Sequence, residues 1–162
     1  MMNIGIIVHS QTGTTLEFGK IIEKALSESG NSVDVIRVET NVPVNFGSVR
    51  QPKKFSIVNI PDCKKYDVLL VGGPVWAFSA SPVIAALLQE LQDISGKKLL
   101  PFVTMGFPFP FMGGKQAIAL MSGIASGKGA EVLPGRIIPK LFHDFKKHME
   151  EAASEIQTFL EA

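Results

Sequence analysis

A chain of 162 residues and 17.5 kDa has the size of one domain, and with 46% hydrophobic and 19% charged residues it is too apolar for a disordered segment. A formal charge of +1, with lysine pairs at 53–54, 64–65, 97–98 and 146–147 dispersed along the chain, excludes the concentrated basic patch that nucleic-acid binding requires. No apolar run approaches the ~18 residues of a membrane helix, the N-terminus enters a strand-like run with no basic leader, and the single Cys63 excludes an internal disulfide or a multi-cysteine metal site; the expectation is a cytoplasmic, reducing setting.

Ile4 to Val8 is a continuous apolar run closed by His9-Ser10, the pattern of a strand buried on both faces. From Thr15 the period becomes helical. Phe18, Ile21, Ile22, Ala25 and Leu26 share one face, and Gly30 stands where a C-terminal cap belongs. Val33 to Val38 alternates weakly and predicts a second strand. Residues 39–65 break the regularity: Pro43, Pro52 and Pro61, with no helical period, predict a long irregular connection carrying a short strand over Phe55–Ile60.

Asp67 to Gly72 is a third strand, apolar throughout Val68-Leu69-Leu70-Val71. Ser81-Pro82 opens a helix, serine as N-cap and proline at the first helical position, with Val83, Ile84, Leu87, Leu88 and Leu91 inward. Leu99 to Thr104 is the fourth strand. Lys115 to Ser126 is a helix turning Ala117, Leu120, Met121 and Ile124 inward, ended by Gly127. Val132 to Ile138 is a fifth strand, and Pro134 within it predicts a sheet edge. The last helix turns Phe145, Met149, Ala152, Ile156 and Phe159 inward. Strands alternating with helices predict an α/β fold over residues 1–162, a doubly wound parallel five-stranded sheet in three layers. Right-handed crossovers favour the order 2-1-3-4-5.

In such a sheet ligands bind beyond the carboxyl ends of the strands, where the strand order reverses. The loop after the first strand reads Ser10-Gln11-Thr12-Gly13-Thr14-Thr15. It enters a helix, so unpaired backbone N–H groups and the positive end of the helix dipole meet a cluster of hydroxyls with no lysine, a cradle for a terminal phosphate held by neutral donors. A capping box, Thr14 as N-cap with Glu17, is the alternative reading; it leaves Ser10, Thr12 and Gly13 unexplained. A dinucleotide fold lacks its Gly-x-Gly-x-x-Gly here. In Phe109–Gln116 the P-loop spacing fails, because phenylalanine holds the first glycine position and Gln116 the Ser/Thr position. A receiver domain would need acidic residues where His9-Ser10 and Gly72-Gly73 stand.

Ser10-x-Thr12-Gly13-x-Thr15, placed between first strand and first helix, resembles the FMN-phosphate loop of the flavodoxins. Tyr66-Asp67-Val68-Leu69-Leu70-Val71-Gly72-Gly73-Pro74-Val75-Trp76-Ala77-Phe78-Ser79 resembles that family's second flavin loop, and the later strands and loops follow in the family's order. The resemblance implies a flavodoxin-like fold with FMN as cofactor. Ser10, Gln11, Thr12, Gly13, Thr14 and Thr15 would surround the phosphate, and Pro74, Val75, Trp76, Ala77 and Phe78 would flank the isoalloxazine. Thr104, Met105, Gly106 and Phe107 would give backbone N–H groups to its pyrimidine edge. The chain departs from the family at Val8-His9, where an aromatic is common, and at Gly19, where alanine is usual.

Trp76, read as lying beyond a strand end, suits the aromatic platform a flat ring needs, with plugging of the core as the alternative. The third loop, Thr104 to Gly114, is too apolar for a solvated turn; burial of Phe109, Phe111 and Met112 against residues 39–65 or against a partner chain in a homodimer is equally open. His9, beside the first loop, and His143 and His148, around the last helix, have no metal-ligand spacing and are expected at the surface. Cys63 is expected to be an incidental thiol. The resemblance leaves two roles with positive support, an electron carrier that meets a redox partner protein, or a reductase in which NAD(P)H reduces FMN and a small-molecule acceptor such as a quinone reoxidises it; a flavin-sensing or purely structural domain is a third, with no residue pattern in its favour. Against the carrier stand a near-neutral charge where carrier flavodoxins are acidic, and a Pro74–Ala77 loop without glycine. Against the reductase, no pattern for nicotinamide recognition is found. No catalytic residue is assigned.

Overall fold

The computed structural model describes residues 1–44 and 53–162. Three long strands form its centre: β1 (Asn3–Val8), β3 (Val68–Trp76) and β5 (Lys98–Met105), with β2 (Ser32–Arg37) at one edge. Their runs are continuously apolar because each face needs its own residues. Ile4, Ile6, Val8, Val68, Leu70, Leu100 and Phe102 pack on one side of the sheet, and Ile7, Leu69, Val71, Leu99 and Val103 on the other. The first side is covered by α1 (Thr14–Glu28) and α4 (Phe145–Glu161), through Phe18, Ile22 and Leu26 of one and Met149, Ala152 and Ile156 of the other. The second is covered by α2 (Pro82–Glu90) and α3 (Gly114–Gly127), through Val83, Ile84, Leu87, Ala117 and Met121.

The order is β2-β1-β3-β5, closed at the far edge by two short pieces, β6 (Glu131–Val132) and β7 (Arg136–Pro139), both parallel to β5. These pieces together occupy the place of the expected fifth strand, so the 2-1-3-4-5 order holds. Pro134, which has no N–H to donate, separates them: β6 pairs with Lys98–Leu99 and β7 with Phe102–Met105.

The third strand runs further than expected. β3 continues through Trp76 and turns back on β4 (Ser79–Ala80) as an antiparallel hairpin, Trp76 opposite Ser79. Ala77 and Phe78 form its two-residue turn with φ of 48° and 60°, the left-handed pair that a type I′ turn requires. Neither residue signals such a turn in a sequence.

Among the described residues the irregular connection is tied by a bridge, Thr40 to Ile57, with Asn41 N–H donating to the Ser56 carbonyl and Val58 N–H to the Glu39 carbonyl, both at 2.9 Å. The short strand expected over Phe55–Ile60 is reduced to that bridge. Phe55 and Ile57 are buried with Cys63 and Tyr66, while Pro52 and the rest of 45–52 lie outside the described residues. In α4, Phe159 is 43% exposed, contrary to the inward position expected; Leu160 packs on the core instead. No helix among the described residues is long and apolar enough to cross a membrane.

Candidate functional site

The carboxyl ends of β1, β3, β5 and β7 open into a cleft of about 260 Å3, lined by Ser10, Gln11, Thr12, Thr14, Thr15, Pro74, Val75, Trp76, Thr104, Met105, Gly106, Lys140 and Phe145. A second hollow of about 350 Å3 shares Val75, Met105 and Gly106 with it and adds Ala77, Phe78, Phe107 and Leu141. Every residue expected at the site therefore lines one or both, except Gly13. That glycine is the N-cap of α1, at φ 97°, and sets the entry angle of the helix. The predicted alternative, a capping box on Thr14, does not form: Thr14 is already helical, and the Leu16 N–H is taken by the Ser10 hydroxyl at 3.2 Å.

The polar end of the cleft is built from behind. Ser10 is buried, and the Arg37 side chain at the end of β2 holds the loop by donating to the carbonyls of Ser10 and Gln11, its Nε lying 2.9 Å from the former. Thr15 and Thr104 share a buried hydroxyl pair at 2.8 Å, which pins the first turn of α1 to the end of β5. Thr12 is exposed, its hydroxyl 3.5 Å from that of Thr14. The N–H groups of Thr14 and Thr15 belong to the first helical turn, where intrahelical pairing offers them no acceptor.

Trp76 is buried to 4% exposure and still lines the cleft, so it serves as floor and not as a free flap. Beneath it lies His9, edge to face, with ring centroids 5.0 Å apart and planes at 81°. His9 Nδ1 is 2.7 Å from the Ser81 hydroxyl, which also accepts the Ile84 N–H as the N-cap of α2. The expectation of a surface histidine fails here: His9 is 7% exposed, and burial, assisted by the Arg37 charge, pushes its pKa down to about 4. It is therefore a neutral ring at physiological pH.

The apolar end is different in kind. Phe78 and Phe107, 57% and 48% exposed, stack with planes at 6° and centroids 5.5 Å apart. Phe109 and Phe111 form a second exposed stacked pair at 5.6 Å, so neither is buried against the described part of residues 39–65, as one reading allowed. The third loop is fixed by Gln116, which accepts the Gly113 N–H and donates to the Phe111 carbonyl, both at 3.1 Å. From the far edge, the segment after β7 closes on it: Lys140 and Leu141 donate backbone N–H groups to Met105 and Gly106, and the His143 ring Nε2 is 2.9 Å from the Pro108 carbonyl. Lys140, Leu141 and Phe145 escape a sequence reading because only the sheet brings β7 beside β5. Among the described residues there is no cluster of His, Cys, Asp and Glu fit to hold a metal.

A family model described as Flavodoxin matches residues 47–113, a stretch that holds the second and third loops of the cleft. No curated protein is similar to the chain in sequence. Among solved structures, oxidised Flavodoxin 1 from Bacillus cereus is 19% identical, with 96% of this chain and 97% of that one covered at a TM-score of 0.63. Two-electron reduced flavodoxin of Megasphaera elsdenii is 22% identical, with 94% and 98% covered at 0.63. A flavoprotein in complex with FMN from Lactobacillus acidophilus NCFM is 20% identical, with 85% and 93% covered at 0.60. The resemblance read from the residues thus holds: this chain has a flavodoxin-like fold.

Proposed function

We propose that this protein binds FMN at the cleft and serves in electron transfer. The observation that carries the reading is the division of one continuous groove into a hydroxyl-lined end at the N-terminus of α1 and an aromatic end at the third loop. A phosphate needs the first and a flat heteroaromatic ring the second. Ser10, Thr12, Thr14 and Thr15 would hold the phosphate. Trp76, Phe78 and Phe107 would flank the ring, and the backbone of Thr104, Met105, Gly106 and Phe107 would meet its polar edge. Bound FMN supplies the redox chemistry, accepting electrons from one partner and passing them to another. The chain's own part is to position the ring, keep water from its buried side and leave the outer side open. Its single cysteine, buried and unpaired, accords with a reducing, cytoplasmic setting.

The exposed Phe107, Phe109, Phe111 and Phe142 around the groove favour an apolar redox partner or acceptor over one steered by charge. The same rim supports a second reading, a reductase taking a hydride from NAD(P)H for a quinone-like acceptor, and a homodimer that covers the rim is a third arrangement. Anaerobic mixing with NADH and NADPH separates carrier from reductase by whether the flavin bleaches. The binding reading itself is tested by titrating the protein with FMN, FAD and riboflavin. FMN should bind tightest, and emission of Trp76, the only tryptophan, should fall as it does. Equal affinity for riboflavin would reduce the first loop to a helix start.

A further inference from the structure

We infer that Lys140 is the cation that completes the phosphate end of the cleft, a residue that the reading of the first loop, with its neutral donors, leaves out. The inference rests on the flavin reading above.

The chain divides at Lys140–Leu141. Leu141 lines the aromatic hollow, whereas Lys140 lines the hydroxyl cleft together with Ser10, Thr12, Thr14 and Thr15. It is the only charged residue on that wall among the described residues. The fold accounts for the encounter. α1 and α4 cover the same face of the sheet and both begin at the carboxyl ends of its strands, so the segment before α4 rises beside the first turn of α1. Lys140 is anchored there by its N–H, which donates to the Met105 carbonyl at 2.9 Å. Its ammonium lies 5.8 Å from the centre of the Phe145 ring, which also lines the cleft.

A cation resting on an aromatic face is oriented without being neutralised. No carboxylate among the described residues forms an ion pair with Lys140. An unneutralised positive charge facing hydroxyls and helix N–H groups fits a dianionic phosphate monoester, and it adds to the helix dipole in favouring the charged ligand. Its contribution should be salt-sensitive, because the ammonium reaches the cleft from a solvated position.

The test compares Lys140→Gln and Lys140→Arg with the parent protein in titrations with FMN and riboflavin at low and high salt, with thermal melts to verify folding. Lys140→Gln should weaken FMN about 5-fold at low salt, the upper range for an exposed ion pair. High salt should shrink that gap, riboflavin should be unaffected, and Lys140→Arg should restore FMN. Equal weakening of both flavins would make Lys140 a ring or packing contact and overturn the inference. So would an unchanged FMN affinity in a parent that prefers FMN, an outcome that leaves the flavin reading standing. A parent that binds neither flavin would remove both.

Discussion

Helices α1 and α3 begin alike and are held in opposite ways. Gly13 and Gly113, their N-caps, both adopt left-handed backbone, with φ of 97° and 113°. A Cβ added at Gly13 would meet nothing within 4 Å, whereas one at Gly113 would come within 2.7 Å of the Phe78 Cα and of Val75 Cγ1. The hydroxyl-lined end of the groove has open space at its glycine and is fixed from behind by Arg37, Ser10 and the Thr15–Thr104 pair. The aromatic end is wedged: the third loop sits directly on the backbone of the β3–β4 turn. In the proposed function a phosphate would be met by polar bonds already made, and a flat ring by two loops pressed together.

Alanine at the two N-caps breaks that contrast most sharply. Gly13→Ala should cost about 1–2 kcal/mol, the strain of a left-handed alanine alone. Gly113→Ala should cost about 2–5 kcal/mol, because a backbone clash is added to the strain. Urea unfolding of both variants reads the difference, and equal losses would mean that the third loop does not bear on the turn.

His9, which lies under Trp76 and against the N-cap serine of α2, gives a pH-dependent handle. Its folded pKa of about 4 lies below the ordinary 6.5. Between those values the unfolded chain takes up a proton that the folded one refuses, so stability is full above pH 6.5 and falls as pH drops toward 4. The loss is about 3 kcal/mol by that shift. His9→Gln, which can still meet Ser81, should lack this part of the decline. Denaturation curves of the two proteins at several pH values isolate it, and identical slopes would show that His9 gains a proton in place.

The smallest effect on the flavin is expected at the rim. Replacing both Phe109 and Phe111 by serine should leave FMN affinity unchanged while slowing electron exchange with an apolar acceptor, measured by stopped-flow reoxidation. Unchanged exchange would detach the rim from partner choice.

The central strands were legible because burial on both faces writes them as unbroken apolar runs, and the edge was legible from Pro134. The first loop was legible because its hydroxyls lie within six consecutive residues. What escaped depends on distant neighbours. The hairpin at Ala77–Phe78 lacks the glycine or asparagine that advertises left-handed backbone. His9 is buried by an α2 cap far along the chain, and Lys140 reaches the cleft only through the pairing of β7 with β5. Phe159 kept the helical period and still faced out, because the core beneath the last turn of α4 is filled by Leu160.

The interruption at Leu133-Pro134-Gly135 reaches beyond topology. A sheet this apolar would offer its open side to any passing extended segment, and a continuous fifth strand would be a template for self-association. Here that side consists of a two-residue and a four-residue strand, the latter ending in Pro139. Neither is long enough to seed a ladder. The opposite margin, β2, carries Asp34 and Arg37 at exposed positions. Edge-to-edge pairing is thereby discouraged at both margins, whereas Phe78, Phe107, Phe109 and Phe111 stand exposed on the loops beyond the strand ends.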